Sequence, residues 1–267
     1  MTDIVVCGIA GRMGRRLGEL TVDADDLNLV GATERPGHEA VGRDAGAFLG
    51  RRDTGFEVVD GAAAAVAGGG VLINFTAPQP TLDAAEACAA AGRPMVVGTT
   101  GFSADELARF KETAARVPCV FAPNFSTAMN VLFKLVREAA HILGDDYDVE
   151  VIEAHHRHKV DAPSGSALGL GQAAAAGLGR DLDEVAVHGR AGQVGARTTK
   201  EIGMHAVRAG DLVGIHSVLY AAPGEFIELK HHATSRDAFA LGALRAARFA
   251  ANAEPGLYDM QDVLGMK

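Results

Sequence analysis

The sequence predicts an α/β chain: a doubly wound parallel sheet, then a second α+β domain built on a mixed sheet. Three observations predict it. Short apolar runs alternate with longer helical patterns through the first half. A glycine turn, Gly8-Ile-Ala-Gly11-Arg-Met-Gly14, joins the first apolar run to the first helical pattern. Late in the chain, strand patterns follow one another without intervening helices, as antiparallel or mixed pairing requires. The length of 267 residues accommodates one α/β domain or two unequal ones of roughly 100–150 residues.

The elements follow in order. Ile4–Cys7 is a strand, Arg12–Val22 a helix and Leu27–Ala32 a strand. Residues 37–54 are polar and glycine-rich and read as a loop, and 61–70 as a surface helix and turn. Val71–Phe75 is a strand, Thr81–Ala91 a helix and Met95–Val97 a strand. Ser103–Arg116 is a helix that opens with Ser103 and Glu106 in capping-box spacing, and Cys119–Ala122 is the next strand. Then come a helix over Val131–Leu143, a strand over Tyr147–Ala154 and a helix over Ser164–Gly177. Val185–Val187, Thr198–Val207, Gly210–Tyr220 and Phe226–Ala233 are strands, the last two a hairpin turning at Ala222–Glu225. Ala238–Ala251 is a closing helix. These patterns divide the chain into a dinucleotide-binding domain over 1–126, to which a C-terminal helical segment, 236–267, returns, and a second domain over 127–235.

Composition narrows the function. Hydrophobic residues at 48% and charged residues at 22% are those of an ordinary globular chain. Glycine is high, 33 of 267, against about 7% in average chains, and has no collagen period. The formal charge of −9 disfavours a nucleic-acid partner. No long uncharged apolar window marks a membrane span, and the N-terminus lacks the basic region of a signal peptide. Cys7, Cys88 and Cys119 sit in apolar stretches and read as buried thiols of a reducing compartment. A cytoplasmic protein is expected.

The glycine turn carries the first chemistry. G-x-x-G-x-x-G after a strand and before a helix lets backbone approach a pyrophosphate and turns free helix N–H groups toward it. Glu34, at the end of the second strand, is placed to bind ribose hydroxyls, and the adjacent Arg35 to hold a 2′-phosphate, so both NADH and NADPH are expected. Gly98-Thr-Thr-Gly101 and Ala122-Pro-Asn-Phe-Ser126 follow other strands on the same edge, where such sheets bind ligands; Phe75-Thr-Ala77 is equivalent.

The second chemistry lies in Glu153-Ala-His-His-Arg-His-Lys-Val-Asp-Ala-Pro-Ser-Gly-Ser166. Three histidines, an arginine and a lysine in succession make a basic patch in an acidic protein, fit for an anionic substrate. Ser164 is placed to cap a helix whose first N–H groups, on Gly165 and Ser166, suit a carboxylate. Neighbouring strand residues face opposite ways, so the histidines do not read as a metal site. His231 and His232 read as structural.

With these motifs together, the whole chain resembles the 4-hydroxy-tetrahydrodipicolinate (dihydrodipicolinate) reductases of diaminopimelate and lysine synthesis. The 153–166 block is highly specific; Gly8–Gly14, Val97–Gly101, Ala122–Ser126 and Ser235-Arg236 support it. Two departures are small: Ser166 stands where the family often has threonine, and Thr127–Asn130 replaces a more aliphatic stretch. The resemblance implies NAD(P)H-dependent reduction of 4-hydroxy-tetrahydrodipicolinate to tetrahydrodipicolinate and water. It implies a Rossmann-type domain, and a substrate domain whose mixed sheet builds a homotetramer. It implies His155 as proton donor/acceptor and Lys159 as proton donor, with His156, Gly165 and Ser166 holding a cyclic dicarboxylate. Gly8, Ile9, Ala10, Gly11, Arg12, Met13, Glu34, Arg35, Gly98, Thr99, Thr100, Ala122, Pro123, Asn124 and Phe125 would hold the cofactor. The chemistry of the residues agrees: hydride addition to a conjugated imine leaves negative charge, which a lysine and a titratable histidine can neutralise. The competing readings are another two-domain oxidoreductase of the aspartate or homoserine dehydrogenase type, a non-enzymatic NAD(P)-binding regulator, and a metal-dependent hydrolase.

Overall fold

A computed structural model describes residues 1–267. The chain forms two compact units, Met1–Ser126 with Asp237–Lys267, and Thr127–Arg236.

In the first unit β1 (Thr2–Cys7), α1 (Arg12–Asp23) and β2 (Leu27–Thr33) lead to a short helix α2 (Ala45–Phe48), a two-residue strand β3 (Val58–Val59) and α3 (Ala62–Val66). Then β4 (Val71–Asn74), α4 (Pro78–Ala91), β5 (Met95–Val97), α5 (Ala104–Ala114) and β6 (Pro118–Phe121) alternate. The C-terminal segment adds α9 (Asp237–Ala250), β12 (Gly256–Tyr258) and α10 (Met260–Val263), numbered after the elements of the second unit. The seven strands run in the order β12-β6-β5-β4-β1-β2-β3, every pairing parallel.

Period-2 alternation puts Ile4 and Val6 of β1 into one core with α1 and α9, and Val5 and Cys7 into the other with α3, α4 and α5. Covering both faces explains why the strands read as unbroken apolar runs. The register aligns Thr33, Cys7, Asn74, Val97 and Phe121 in one row. Everything just beyond that row lies on the carboxyl edge of the sheet. The three cysteines are buried and unbridged, and burial pushes the Cys7 thiol up to about 11.

Several features of the first unit differ from the expectation, β3 among them. The 37–54 loop contains α2, whose cap Asp44 accepts from the Ala47 N–H and also from Thr54 and Gly55. Helix α4 starts at Pro78, not Thr81, because proline is compatible with a first helical turn that has no intrahelical N–H bond to make. Helix α3 is not a plain surface helix, since Ala65 and Val66 are buried. The segment 236–267 is more than a helix: β12 pairs with β6, and Asp259 and Asp262 form a capping box on α10.

The second unit begins with α6 (Thr127–Leu143), four residues before the expected Val131, and a 3-10 turn. β7 (Asp148–His155), α7 (Gly165–Gly177), α8 (Leu182–Val185), β8 (Ala186–His188), β9 (Ile202–Arg208), β10 (Gly214–Ala222) and β11 (Glu225–Ala233) follow. The sheet order is β11-β10-β7-β9-β8, with β7–β9 and β8–β9 parallel and the other pairs antiparallel. Residues 198–201, expected in a strand, form a turn in which Glu201 accepts from the Thr198 N–H and hydroxyl.

Helices α6 and α7 cover one face of this sheet, over Val149, Val151 and Val218. Glu153 and His155 continue the same side of β7 by alternation, and both are buried. The other face carries exposed Ile152, Val207 and Phe226 beside an ion cluster. There Glu150 is opposed by burial but held down to about 2 by Arg190, His205 and Arg197.

Close packing between α9 and the sheet edge gives a direct test. A Cβ on Gly242 would lie 1.7 Å from the Phe125 carbonyl oxygen. Gly242→Ala is therefore expected to destabilise the first unit by about 1–3 kcal/mol, the usual cost of overpacking, read by urea unfolding. Gly165→Ala, with nothing within 4 Å of its Cβ, should leave that midpoint unchanged.

Candidate active site

The residues expected to hold a dinucleotide gather on the carboxyl edge of the first sheet. Gly8 follows β1 with φ +69, where a side chain would be strained, and its Cβ would sit 2.8 Å from Thr76. Gly14 has a different reason to be glycine: a Cβ there would lie 2.0 Å from the Gly8 carbonyl oxygen, so only glycine lets α1 start against the strand end. The turn is closed by Ile9 N–H to Thr33 O (3.0 Å) and Gly11 N–H to Gly8 O (2.9 Å). α1 begins without a side-chain cap and without an acidic residue in its first turn. Its leading N–H groups, around Arg12 and Met13, are left for an anion. A cavity of about 280 Å³ lies at this spot, lined by Gly8, Gly11, Met13, Glu34, Phe75 and Thr76 among others.

Glu34 is tied into the turn. One carboxylate oxygen accepts from the Ala10 N–H (3.0 Å) and the other from the Arg35 N–H (3.0 Å). Arg35 is exposed. After β5, a Cβ on Gly98 would fall 2.1 Å from the Phe75 ring, so glycine there is what admits Phe75 over the loop. Phe75 also packs edge-on to Phe125, with centroids 5.2 Å apart. Thr99 is buried and its hydroxyl shares a 2.8 Å hydrogen bond with Thr81, whereas Thr100 is exposed. Ile9, Ala122 and Phe125 are core residues, which leaves their backbone for any ligand; Pro123 is exposed, and Asn124 accepts from the Ser126 N–H (2.8 Å). Phe75 and Thr76 thus join the predicted set, marked in the sequence only by following a strand.

In the second unit the histidine block leaves the end of β7. His155 is buried on the helix-covered side, and its Nδ1 lies 2.6 Å from Glu153 Oε2. Glu153 is fully buried and also receives both terminal nitrogens of Arg208, at 2.8 and 2.9 Å, and the Ser164 N–H at 3.0 Å. Burial would raise this carboxyl, but Arg208, His155 and Ser164 outweigh it and hold it below the usual carboxylate range. Ser164 caps α7, its hydroxyl accepting from the Ala167 N–H, as the sequence predicts. The same hydroxyl lies 3.2 Å from His216 Nε2, and the His216 ring meets His155 edge-on at 5.0 Å. Burial first, and His155 next, push His216 down to about 4.

His156 donates its backbone N–H to Leu212 O, and its imidazole is driven down by burial and by the charges of Arg236, His155, His158 and Lys159. Lys159 pairs with Asp161 at 2.9 Å. Gly165 and Ser166 open α7, with free space above Gly165. The basic groups and the helix start therefore lie in one unit, with His155 rooted beneath them. Sequence reasoning passed over Arg208 and His216, which reach Glu153 and Ser164 only through strand register, with His155 beside Arg208 and Glu153 beside His216. Glu153 itself had a visible signal, its i, i+2 spacing from His155 on one strand.

Comparison with known proteins covers both units. Residues 2–125 match the family model described as dihydrodipicolinate reductase, N-terminus, and residues 128–264 the one described as its C-terminus. The chain is 53% identical over 264 residues to a 4-hydroxy-tetrahydrodipicolinate reductase of Thiobacillus denitrificans, covering 99% of this chain and 98% of the relative. It is 52% identical over 265 residues to the reductase of the same name from Alkalilimnicola ehrlichii, covering 99% of each. Among solved structures, dipicolinate-bound dihydrodipicolinate reductase from Paenisporosarcina sp. TG-14 superposes with a TM-score of 0.77 at 21% identity, covering 98% of both chains. A myo-inositol dehydrogenase from Corynebacterium glutamicum shares the fold at a TM-score of 0.59 and 12% identity, over 100% of this chain and 93% of that one.

His216 sets a pH test. Its folded value near 4 lies below the ordinary 6.5, so between these values the unfolded chain binds the extra proton. Its neutral burial adds stability above pH 6.5 and loses it as pH falls toward 4. Stability of the second unit should rise with pH across that window, and His216→Asn should reduce the slope. An unchanged slope would mean that His216 is not buried neutral.

Proposed function

The chain belongs to the dihydrodipicolinate reductase family, and on that premise we infer how its residues carry out the family's reaction. It is an NAD(P)H-dependent enzyme that reduces 4-hydroxy-tetrahydrodipicolinate to tetrahydrodipicolinate, with loss of water, on the route to diaminopimelate and lysine. Matches that run through both halves at about this identity leave no room for the aspartate or homoserine dehydrogenase reading. The observation that carries the mechanism is the His155–Lys159 block, set at the end of β7 beside the start of α7.

The first unit fits the cofactor on its own geometry: a cradle that any Cβ at Gly8 or Gly14 would fill, an uncapped helix start and a cavity between them. When bound, the reduced nicotinamide supplies the hydride. Gly8 to Met13 would receive the pyrophosphate on backbone N–H groups. Glu34 would exchange the Ala10 N–H for ribose hydroxyls, and the exposed Arg35 would meet a 2′-phosphate. Gly98 to Thr100 and Ala122 to Phe125 would hold the other end, mostly by backbone.

The second unit would bind the cyclic dicarboxylate. The N–H groups of Gly165 and Ser166, the Ser166 hydroxyl and His156 would donate to one carboxylate, within the field of Lys159, His158 and Arg236. Loss of water from the 4-hydroxy ring gives a conjugated ring. As hydride adds, electron density moves onto that ring and a proton must follow. Lys159, released from Asp161, and His155 are the groups that deliver it. The dipicolinate bound to the Paenisporosarcina reductase is a planar ligand of this class. The open sheet face with Ile152, Val207 and Phe226 supports assembly into a homotetramer. No helix is long and apolar enough to cross a membrane; the place of the reaction in amino-acid synthesis is what supports a cytoplasmic location.

The test is oxidation of NADH and of NADPH with freshly generated substrate. Both should support turnover, with chelators without effect. Lys159→Ala should lower kcat by at least ~10²-fold, the size of a lost general acid, while Ser166→Ala should act mainly on KM. Arg35→Ala should weaken NADPH by about 1.5–3 kcal/mol, as for a lost hydrogen bond to a charge, and spare NADH. A parental kcat in Lys159→Ala, or equal losses for both cofactors in Arg35→Ala, would contradict these assignments.

A further inference from the structure

Glu153 touches no part of the surface on which substrate is placed, yet its carboxylate joins the two features that the reaction needs. Oε2 faces His155 Nδ1 (2.6 Å) and Arg208 Nη1 (2.8 Å); Oε1 faces the Ser164 N–H (3.0 Å) and Arg208 Nη2 (2.9 Å). Three of these four partners can only donate. The carboxylate is ionised in this environment, so the fourth, Nδ1 of His155, meets an acceptor and must also carry hydrogen. The side chain of His155 is 10% exposed and its Nε2 has no partner within the protein.

We propose that Glu153, clamped by Arg208, is a positioning residue that fixes His155 as the Nδ1–H tautomer and seats the cap of α7 with the same carboxylate. It rests on the reading of His155 as a proton-transfer group. Where His155 donates, it does so as the imidazolium: the N–H bond at Nε2 breaks, its electron pair stays on that nitrogen, the proton joins the ring that has received hydride, and the neutral Nδ1–H tautomer is left. The Nδ1–H···Glu153 bond is the same before and after, so the imidazole neither turns nor exchanges tautomer during the step. In free imidazole side chains hydrogen is readily carried on Nε2, which would leave no lone pair there to be reprotonated. Orientation of a histidine through its second nitrogen is a general device. Here one anion also holds the Ser164 N–H, so the imidazole and the helix start cannot move independently.

Glu153→Gln discriminates, because it keeps the shape and supplies only one acceptor. Its NH2 must face either Ser164 and Arg208 or His155 and Arg208. Only the imidazole can change from donor to acceptor, so the amide turns toward His155 and drives it to the Nε2–H tautomer. The experiment is long-range ¹H–¹⁵N correlation of the histidine rings in the full-length enzyme at alkaline pH, with His155→Gln assigning the signals. Circular dichroism and a parental urea midpoint of the second unit check folding, and NADH affinity, a property of the other unit, should stay within about twofold. The parent should show hydrogen on Nδ1, and Glu153→Gln hydrogen on Nε2 with kcat reduced at least tenfold. A parent with hydrogen on Nε2, or a variant with an unchanged tautomer, overturns the proposal, and the parent spectrum decides even if the variant does not fold. A switched tautomer with parental kcat would uphold the positioning and overturn the reading of His155.

Discussion

A buried carboxylate that meets four N–H donors ties its neighbours together, and Glu153 in this way holds His155, Arg208 and the start of α7 in one arrangement. Leaving Arg208 without this partner would cost on the order of 3–5 kcal/mol if the guanidinium were fully enclosed, and less here because it is partly solvated. The tie is thus strong enough to hold a histidine and a helix terminus in register, though each also has its own local reasons for its place. Strand alternation puts Glu153 and His155 on one side of β7. Parallel pairing with β9 brings Arg208 beside His155, and antiparallel pairing with β10 brings His216 beside Glu153. The mixed sheet is what makes this meeting possible, since one strand draws on a parallel neighbour and an antiparallel one.

The nucleotide half rests on a different constraint, the absence of side chains. Gly8, Gly14 and Gly98 are each glycine because another part of the protein occupies the volume of a Cβ: Thr76, the Gly8 carbonyl and the Phe75 ring. Removing bulk there lets an anion approach the backbone at the start of α1. In the other unit a local group of basic side chains, His156, His158, Lys159 and Arg236, lies together. In a chain with a formal charge of −9, that local group is the positive field the proposed dicarboxylate would meet, and the backbone N–H groups at the start of α1 are what the proposed pyrophosphate would meet.

Much of this was legible in the sequence because the relevant signals are local. The strand–glycine–helix order, Glu34 after β2, the capping box at Ser103 and the cap at Ser164 involve residues a few positions apart. What was not legible depends on distant segments. β3 and β12 have two and three residues and exist only because an edge strand is there to pair with them. α2 forms inside a polar stretch because Asp44 organises it. Arg208 lies 55 residues from Glu153, and no spacing rule links them. Phe125 was readable as part of a ligand loop, but only packing against Phe75 and the approach of Gly242 show that its side chain belongs to the core.

The central claim, that Glu153 acts on the chemistry through His155, is tested most directly by a double-mutant cycle on kcat with Glu153→Gln and His155→Ala. Coupled residues give non-additive losses. If Glu153 works through the imidazole, adding Glu153→Gln to an enzyme that already lacks it should lower kcat little further, within about threefold. Losses that multiply in full across the two substitutions would contradict the account and assign Glu153 a role independent of His155.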